Sequence, residues 1–302
     1  MLNGVLRDGF IQSFADIALS PDPDLAVAAL MIARIEYPHL DAGRYIDRLD
    51  ELGFEAERRV KHASTLPHDA PRFIDPLTLA QITALSDYLF QEQHFTGNQR
   101  QYEDPRNSFL NEVLDRRTGI PITLALVFME VARRAGVRVE GVNFPGHFLV
   151  RCRAPRRTLD DAGDLIIDAF HGGAILSEES CRELLRRHAG EDADDDIRRM
   201  AHATKPQILV RMLLNLKRTY VKMYSFPQAR DVTELLLAVN PSGVSELRDR
   251  GLLAYHMHDF HAALRDLQAY LDVAVSADTN KDEHEQIWEH VKTLKRRVAS
   301  LN

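Results

Sequence analysis

The sequence predicts an α+β protein that continues into an all-α repeat region. Three observations carry that prediction. The first hundred residues hold helical periodicity; residues 121–135 make an apolar helical stretch followed by three short strand-like segments; and residues 208–273 resemble themselves at a spacing of 34. The expected organisation is a helical segment at 1–100 packed on a core at 101–190, then repeats with a capping helix at 200–302.

In the N-terminal segment, Asp22, Pro23 and Asp24 open a helix over 25–36, which stops before Pro38. Tyr45, Leu49, Leu52, Ala56 and Val60 recur at helical spacing. Asp75 followed by Pro76 pairs a capping residue with a first-turn proline and predicts a third helix over 77–90. Residues 97–105 read as a polar linker.

The core begins with a short helix over 107–116, ended by Gly119. From Pro121 onward, Leu124, Val127, Phe128, Val131, Ala132 and Ala135 share one face, and Gly136 closes the helix. The opposite side is also apolar as far as Met129, so this helix must be buried on most sides over its first half. Residues 137–144 read as a strand, Pro145-Gly146 as a tight turn, and 147–152 and 165–169 as two further strands. Helix followed by adjacent strands predicts an antiparallel sheet packed on the helix.

The acidic stretch 191–196 reads as an interdomain joint. Beyond it Leu213 and Leu247, Ala229 and Ala263, Asp231 and Arg265, and Leu237 and Leu271 pair at a spacing of 34. Each copy is helix, break, helix: 208–224 and 228–239, then 244–256 and 260–273, with Pro241 between. The period resembles the tetratricopeptide repeat, with the small Ala229 and Ala263 where paired helices approach. Gly251 holds the small position in the second copy, and Lys217 stands there in the first. The polar helix at about 281–299 reads as the solvating cap.

Composition limits what such a chain can do. Its 302 residues can bury a sizeable core without help from metals or disulfides. With 38 Lys+Arg against 45 Asp+Glu and no strongly basic stretch, a nucleic-acid partner is not expected. The two cysteines, Cys152 and Cys181, lack metal-ligand spacing and fit a reducing compartment. Asp8 and Asp16 interrupt the first twenty residues and argue against a signal peptide, and the apolar run 25–33 is too short to span a bilayer. The expectation is a soluble cytoplasmic protein with no membrane partner.

YEDPRN (102–107), NSFLNEVLDRRTGIPITLA (107–125) and PGHFLVR (145–151) resemble the bacterial SirB-type proteins, over roughly residues 40–275. The resemblance implies a transglutaminase-like core followed by tetratricopeptide-type repeats. In that superfamily a cysteine starts the buried helix, a histidine lies on the next strand and an aspartate on the one after. A helix N-terminus favours the thiolate, the imidazole moves the proton, and the carboxylate fixes the imidazole tautomer. The superfamily pattern Gly-x-Cys-x-x-x-Ala, with a second glycine about fifteen residues beyond the cysteine, falls here on Gly119, Ala125 and Gly136. Pro121 therefore stands at the cysteine position, His147 matches the histidine and Asp168 the aspartate. The resemblance also implies that Arg106 and Asn107 line the same cleft.

Pro121 offers neither a thiol nor a backbone N–H, although proline suits the first turn of a helix. Losing the nucleophile from such a mechanism costs on the order of a million-fold in turnover. Strand alternation keeps Cys152 from replacing it: His147, Leu149 and Arg151 share one face, and Phe148, Val150 and Cys152 the other. Cys181 reads as packing; Ser108 is near enough to consider; Thr123 lies roughly 200° around the helix from Pro121. His147 and Asp168 then read first as a hydrogen bond holding two strands in register, and second as a remnant dyad that binds a ligand or activates water.

The expected function is a non-catalytic interaction protein that takes a protein or peptide partner through its repeats. The alternative is a hydrolase or acyl-transfer enzyme using His147 and Asp168 with a substitute nucleophile or activated water. No cofactor and no metal are expected. His256, His258, His261 and Asp259 read as a solvated turn because they do not close a set of four zinc ligands, and neither a phosphate-cradling glycine loop nor an HExxH motif is present.

Overall fold

The computed structural model describes residues 4–65, 74–153, 163–190, 202–274 and 281–299. Its contacts divide the chain into two compact units, Asp24–Ile208 and Met1–Pro23 with Leu209–Asn302. The division differs from the expected one at the N-terminus. Helix α1 (Gly4–Ala18) groups with the repeat region: it packs on the repeat helix Phe226–Val239, and its Phe14 and Ala18 are sealed.

In the Asp24–Ile208 unit, α2 (Leu25–Ala33) starts where the Asp24 carboxylate accepts the Val27 N–H at 3.0 Å. It ends short of the expected residue 36, as turn bonds to Ile32 and Ala33 take over. α3 (Ala42–Ala63) buries Tyr45, Leu49, Leu52, Ala56 and Val60, the stripe the periodicity indicates. It lies against the later helix Pro121–Arg134 at Gly53, where an added Cβ would collide with Arg134 Cβ and come 2.8 Å from its Cδ. α4 (Pro76–Ser86) begins on the Asp75 cap with Pro76 in the first turn, then loosens into a π turn over Asp87–Glu92.

β1 (Thr96–Gly97) ends on the first residue of the expected linker. α5 (Leu110–Arg116) follows a 3-10 turn over Pro105–Ser108, and β2 (Thr118–Gly119) pairs with β1 in parallel. This short pair leads directly into α6 (Pro121–Arg134), which is buried on most sides. Phe128 stacks on Phe90 of the π turn at 6.2 Å between ring centroids. Glu130, nearly sealed, pairs with Arg133 at 2.9 Å and with Arg134.

β3 (Glu140–Val142), β4 (Leu149–Cys152), β5 (Leu165–Asp168) and β6 (Ala174–Leu176) form one antiparallel sheet in that order. The first strand covers only part of the expected 137–144, and the second starts after His147. β6 was not anticipated: three residues carry no readable alternation. α7 (Glu178–Ala189) supplies Leu184 and Leu185 to an apolar cluster with Val142, Phe144 and Leu149.

The other unit holds α8 (Lys205–Lys222, from Leu209 onward), α9 (Phe226–Val239), α10 (Val244–His256), α11 (Phe260–Ala274) and α12 (Lys281–Ala299). The first four are the helices that the 34-residue spacing predicts, and α12 is the expected cap. Ala229 and Ala263 are completely buried, and a Cβ on Gly251 would sit 2.7 Å from Leu267 Cγ. In the first copy Lys217 instead reaches Asp249 of α10 at 2.7 Å. α12 caps the array by burying Ile287, Val291 and Leu294 against Leu267, Tyr270 and Leu271. The acidic joint at 191–196 lies outside the described residues. No described helix is long and apolar enough to cross a membrane.

Candidate functional site

β4 and β5 pair with Val150 opposite Ile167. Asp168 is the next residue on β5 and His147 lies just before β4, so both fall at the same end of the ladder. His147 Nε2 is 3.0 Å from Asp168 Oδ1, with the two side chains only 5% and 3% exposed. Asp168 also caps a 3-10 turn over Ala169–His171, where Oδ1 accepts the N–H groups of Phe170 at 3.0 Å and His171 at 3.2 Å. Three residues per turn bring side chains i and i+3 into line. His171 Nδ1 accordingly comes back to Asp168 Oδ2 at 2.7 Å.

One carboxylate thus faces two imidazoles and two backbone amides. An ionised carboxylate can only accept, so the ring nitrogens facing it donate. Burial pushes the Asp168 carboxyl upward, and the hydrogen bonds and charge of His147 and His171 outweigh that, leaving it below its ordinary value. The rings around His147 are closely spaced. His171 stacks at 5.8 Å, His188 of α7 at 6.1 Å with planes 12° apart, and Phe170 meets it edge-on at 6.0 Å. Gly146, at φ +65, both turns the chain into His147 and leaves room for His188, whose ring would lie 2.6 Å from a Cβ there. Burial, then the neighbouring His147 and Arg187, hold the His188 imidazolium below its ordinary pKa.

The sequence pattern of the transglutaminase-like superfamily matches residues 43–214. The chain belongs to this superfamily. A tetratricopeptide repeat pattern matches residues 216–287. The chain is 39% identical over 253 residues to a UPF0162 protein of Xylella fastidiosa, covering 82% of this chain and 83% of that one. It is 28% identical over 195 residues to a UPF0162 protein of Vibrio cholerae, 64% of this chain and 69% of that one. It is 35% identical over 182 residues to F-box only protein 21 of Mus musculus, covering 58% of this chain and 28% of the mouse protein. No solved structure matches it.

Against the superfamily arrangement, Pro121 is buried at the first position of α6. α6 itself packs on β4 and on the turn that carries His171. Thr123 is sealed: its hydroxyl accepts the Ile120 N–H at 3.1 Å and donates to the Asn107 carbonyl at 2.7 Å. Asn107 is completely buried, and its amide donates to the Gln101 carbonyl at 2.7 Å while its oxygen accepts from Asn98 at 3.1 Å. It braces the 98–102 loop against the start of α6. Arg106 turns outward onto Asp104 at 2.7 Å. Cys152 and Cys181 are buried, and burial pushes each thiol up to about 11.

The sequence reading missed His171 and His188. A histidine three residues after a strand-ending aspartate, ahead of two glycines, was a usable signal for His171. His188 had none, since only the packing of α7 brings it to His147.

Proposed function

We propose that this transglutaminase-like protein is a non-catalytic scaffold or regulator that binds a protein or peptide partner through its tetratricopeptide-type repeats. The observation that carries this reading is that Pro121 opens α6, the position that the resemblance assigns to the superfamily's cysteine. The Thr123 hydroxyl is engaged at both ends, and the two thiols are buried and held neutral, which supports the loss of a nucleophile. The repeat unit exposes apolar side chains of the kind a partner covers, with Tyr224 79% exposed beside Met223, and Trp288 on α12. The cytoplasm suits the protein, since two unpaired cysteines persist there reduced.

Affinity capture with the full chain tests this. A specific partner is expected for the wild type and for His147→Ala, and is expected to be lost with Tyr224→Ala plus Trp288→Ala. Equal capture by the repeat variant would overturn the assignment of the repeats as the binding surface.

The hydrogen-bonded His147 and Asp168 favour a second reading, hydrolysis or acyl transfer through activated water. Amide or ester turnover by the purified protein that disappears in His147→Ala would establish it and refute the non-catalytic one.

A further inference from the structure

We propose that His147, Asp168 and His171 bind a divalent transition-metal ion of the zinc type. Each residue offers one ligand atom, and these atoms all lie within 4.8 Å of one another. Two ligand atoms on a tetrahedral ion at about 2.1 Å lie about 3.4 Å apart, so the widest pair has to close by up to about 1.4 Å to hold it. Half-exposed His171 has the freedom to make that movement, while His147 and Asp168 are sealed and form the fixed side.

The donor set matches the ion class. Two imidazoles and a carboxylate suit zinc and its first-row neighbours, in contrast to the all-oxygen shells of calcium and magnesium. Three protein ligands leave a fourth position to water, reached from the exposed His171 side. The carboxylate is already oriented by the amides of Phe170 and His171, which an ion on its other lone pairs leaves in place. On binding, each imidazole presents a lone pair where it now donates, its ring proton moving to the other nitrogen of the same ring. The tight turn explains the local geometry: Asp168 and His171 sit one 3-10 turn apart, and the glycines at 172 and 173, both at positive φ, turn the chain away immediately afterwards.

The site does not depend on either reading of function, because an ion bound there can serve structure or chemistry. The test is therefore a binding measurement. Untagged full-length protein, stripped of metal, is titrated with Co2+ and followed by visible d–d absorption, then challenged with Zn2+. One Co2+ per chain, displaced by Zn2+, is expected. His171→Ala should weaken binding by roughly 100-fold or more, beyond what loss of an outer-shell partner causes. His258→Ala, in the other histidine cluster, should bind as the wild type does. His147→Gln is a second ligand variant, with circular dichroism checking that each variant remains folded; the half-exposed His171 makes its alanine variant the decisive one. Absent d–d absorption, unchanged affinity in His171→Ala, or loss of binding in His258→Ala would each overturn the proposal. A positive result leaves the capture and turnover experiments to decide the scaffold reading separately.

Discussion

Asp168 at the end of β5 and His147 in the turn before β4 meet at 3.0 Å, with both side chains all but closed to water. Hydrogen bonds to a charged group contribute about 1.5–3 kcal/mol each, and more is lost when a buried partner is stranded. Asp168→Asn keeps the shape, removes the charge and weakens the bonds to His147 and His171. It should lower stability by about 2–3 kcal/mol, read from the urea midpoint. A midpoint equal to wild type would mean the pair contributes nothing to holding the sheet end together.

Gly53 sets two effects against each other. Alanine in the interior of a helix usually gains about 1 kcal/mol over glycine. Here the added methyl collides with Arg134 Cβ, which lies at the root of a side chain on α6 and cannot swing away. Overpacking costs about 1–3 kcal/mol. Gly53→Ala should therefore be destabilising, whereas a stabilised protein in thermal melts would show that α3 and α6 separate without penalty.

The thiols of Cys152 and Cys181 are held near 11 by burial, against an ordinary value of 9.0. Between those values the unfolded thiols lose protons that the folded ones keep, so the native state binds more protons there. Stability from this source is complete below about pH 8.5 and falls as pH rises toward 11, by on the order of 2 kcal/mol per thiol. Melting temperature should decline over that range, and less steeply in Cys152→Ala. Alkylation at neutral pH should proceed only as fast as the protein opens.

In the repeat unit, Arg250 joins three helices. It contacts Asp266 of α11 at 2.6 Å and Glu234 of α9 at 2.9 Å, and Asp266 is almost completely buried. Stranding one member of a buried pair costs about 3–5 kcal/mol. Arg250 is a fifth exposed and Arg265 also reaches Asp266, so Arg250→Ala should cost less, about 2–3 kcal/mol. Adding Asp266→Asn should recover part of it in the double variant, and two additive losses would argue that the charges act independently.

The sequence by itself determined what short-range physics determines. Asp24, and Asp75 with Pro76, start helices because their side chains or ring geometry meet the free amides of a first turn, a matter of three or four residues. The stripe from Tyr45 to Val60, the buried helix after Pro121, and the repeat helices with Ala229, Gly251 and Ala263 are all written in local spacing. His147 and Asp168 were legible through a family pattern. Only the tertiary structure decided that α1 packs with the repeats, that three residues at 174–176 complete the sheet, and that Asn107 is a sealed brace. It also decided that the rings of His171 and His188 lie beside His147. Those outcomes rest on contacts between segments far apart in the chain, where the spacing of residues along it carries no record of which surfaces will meet.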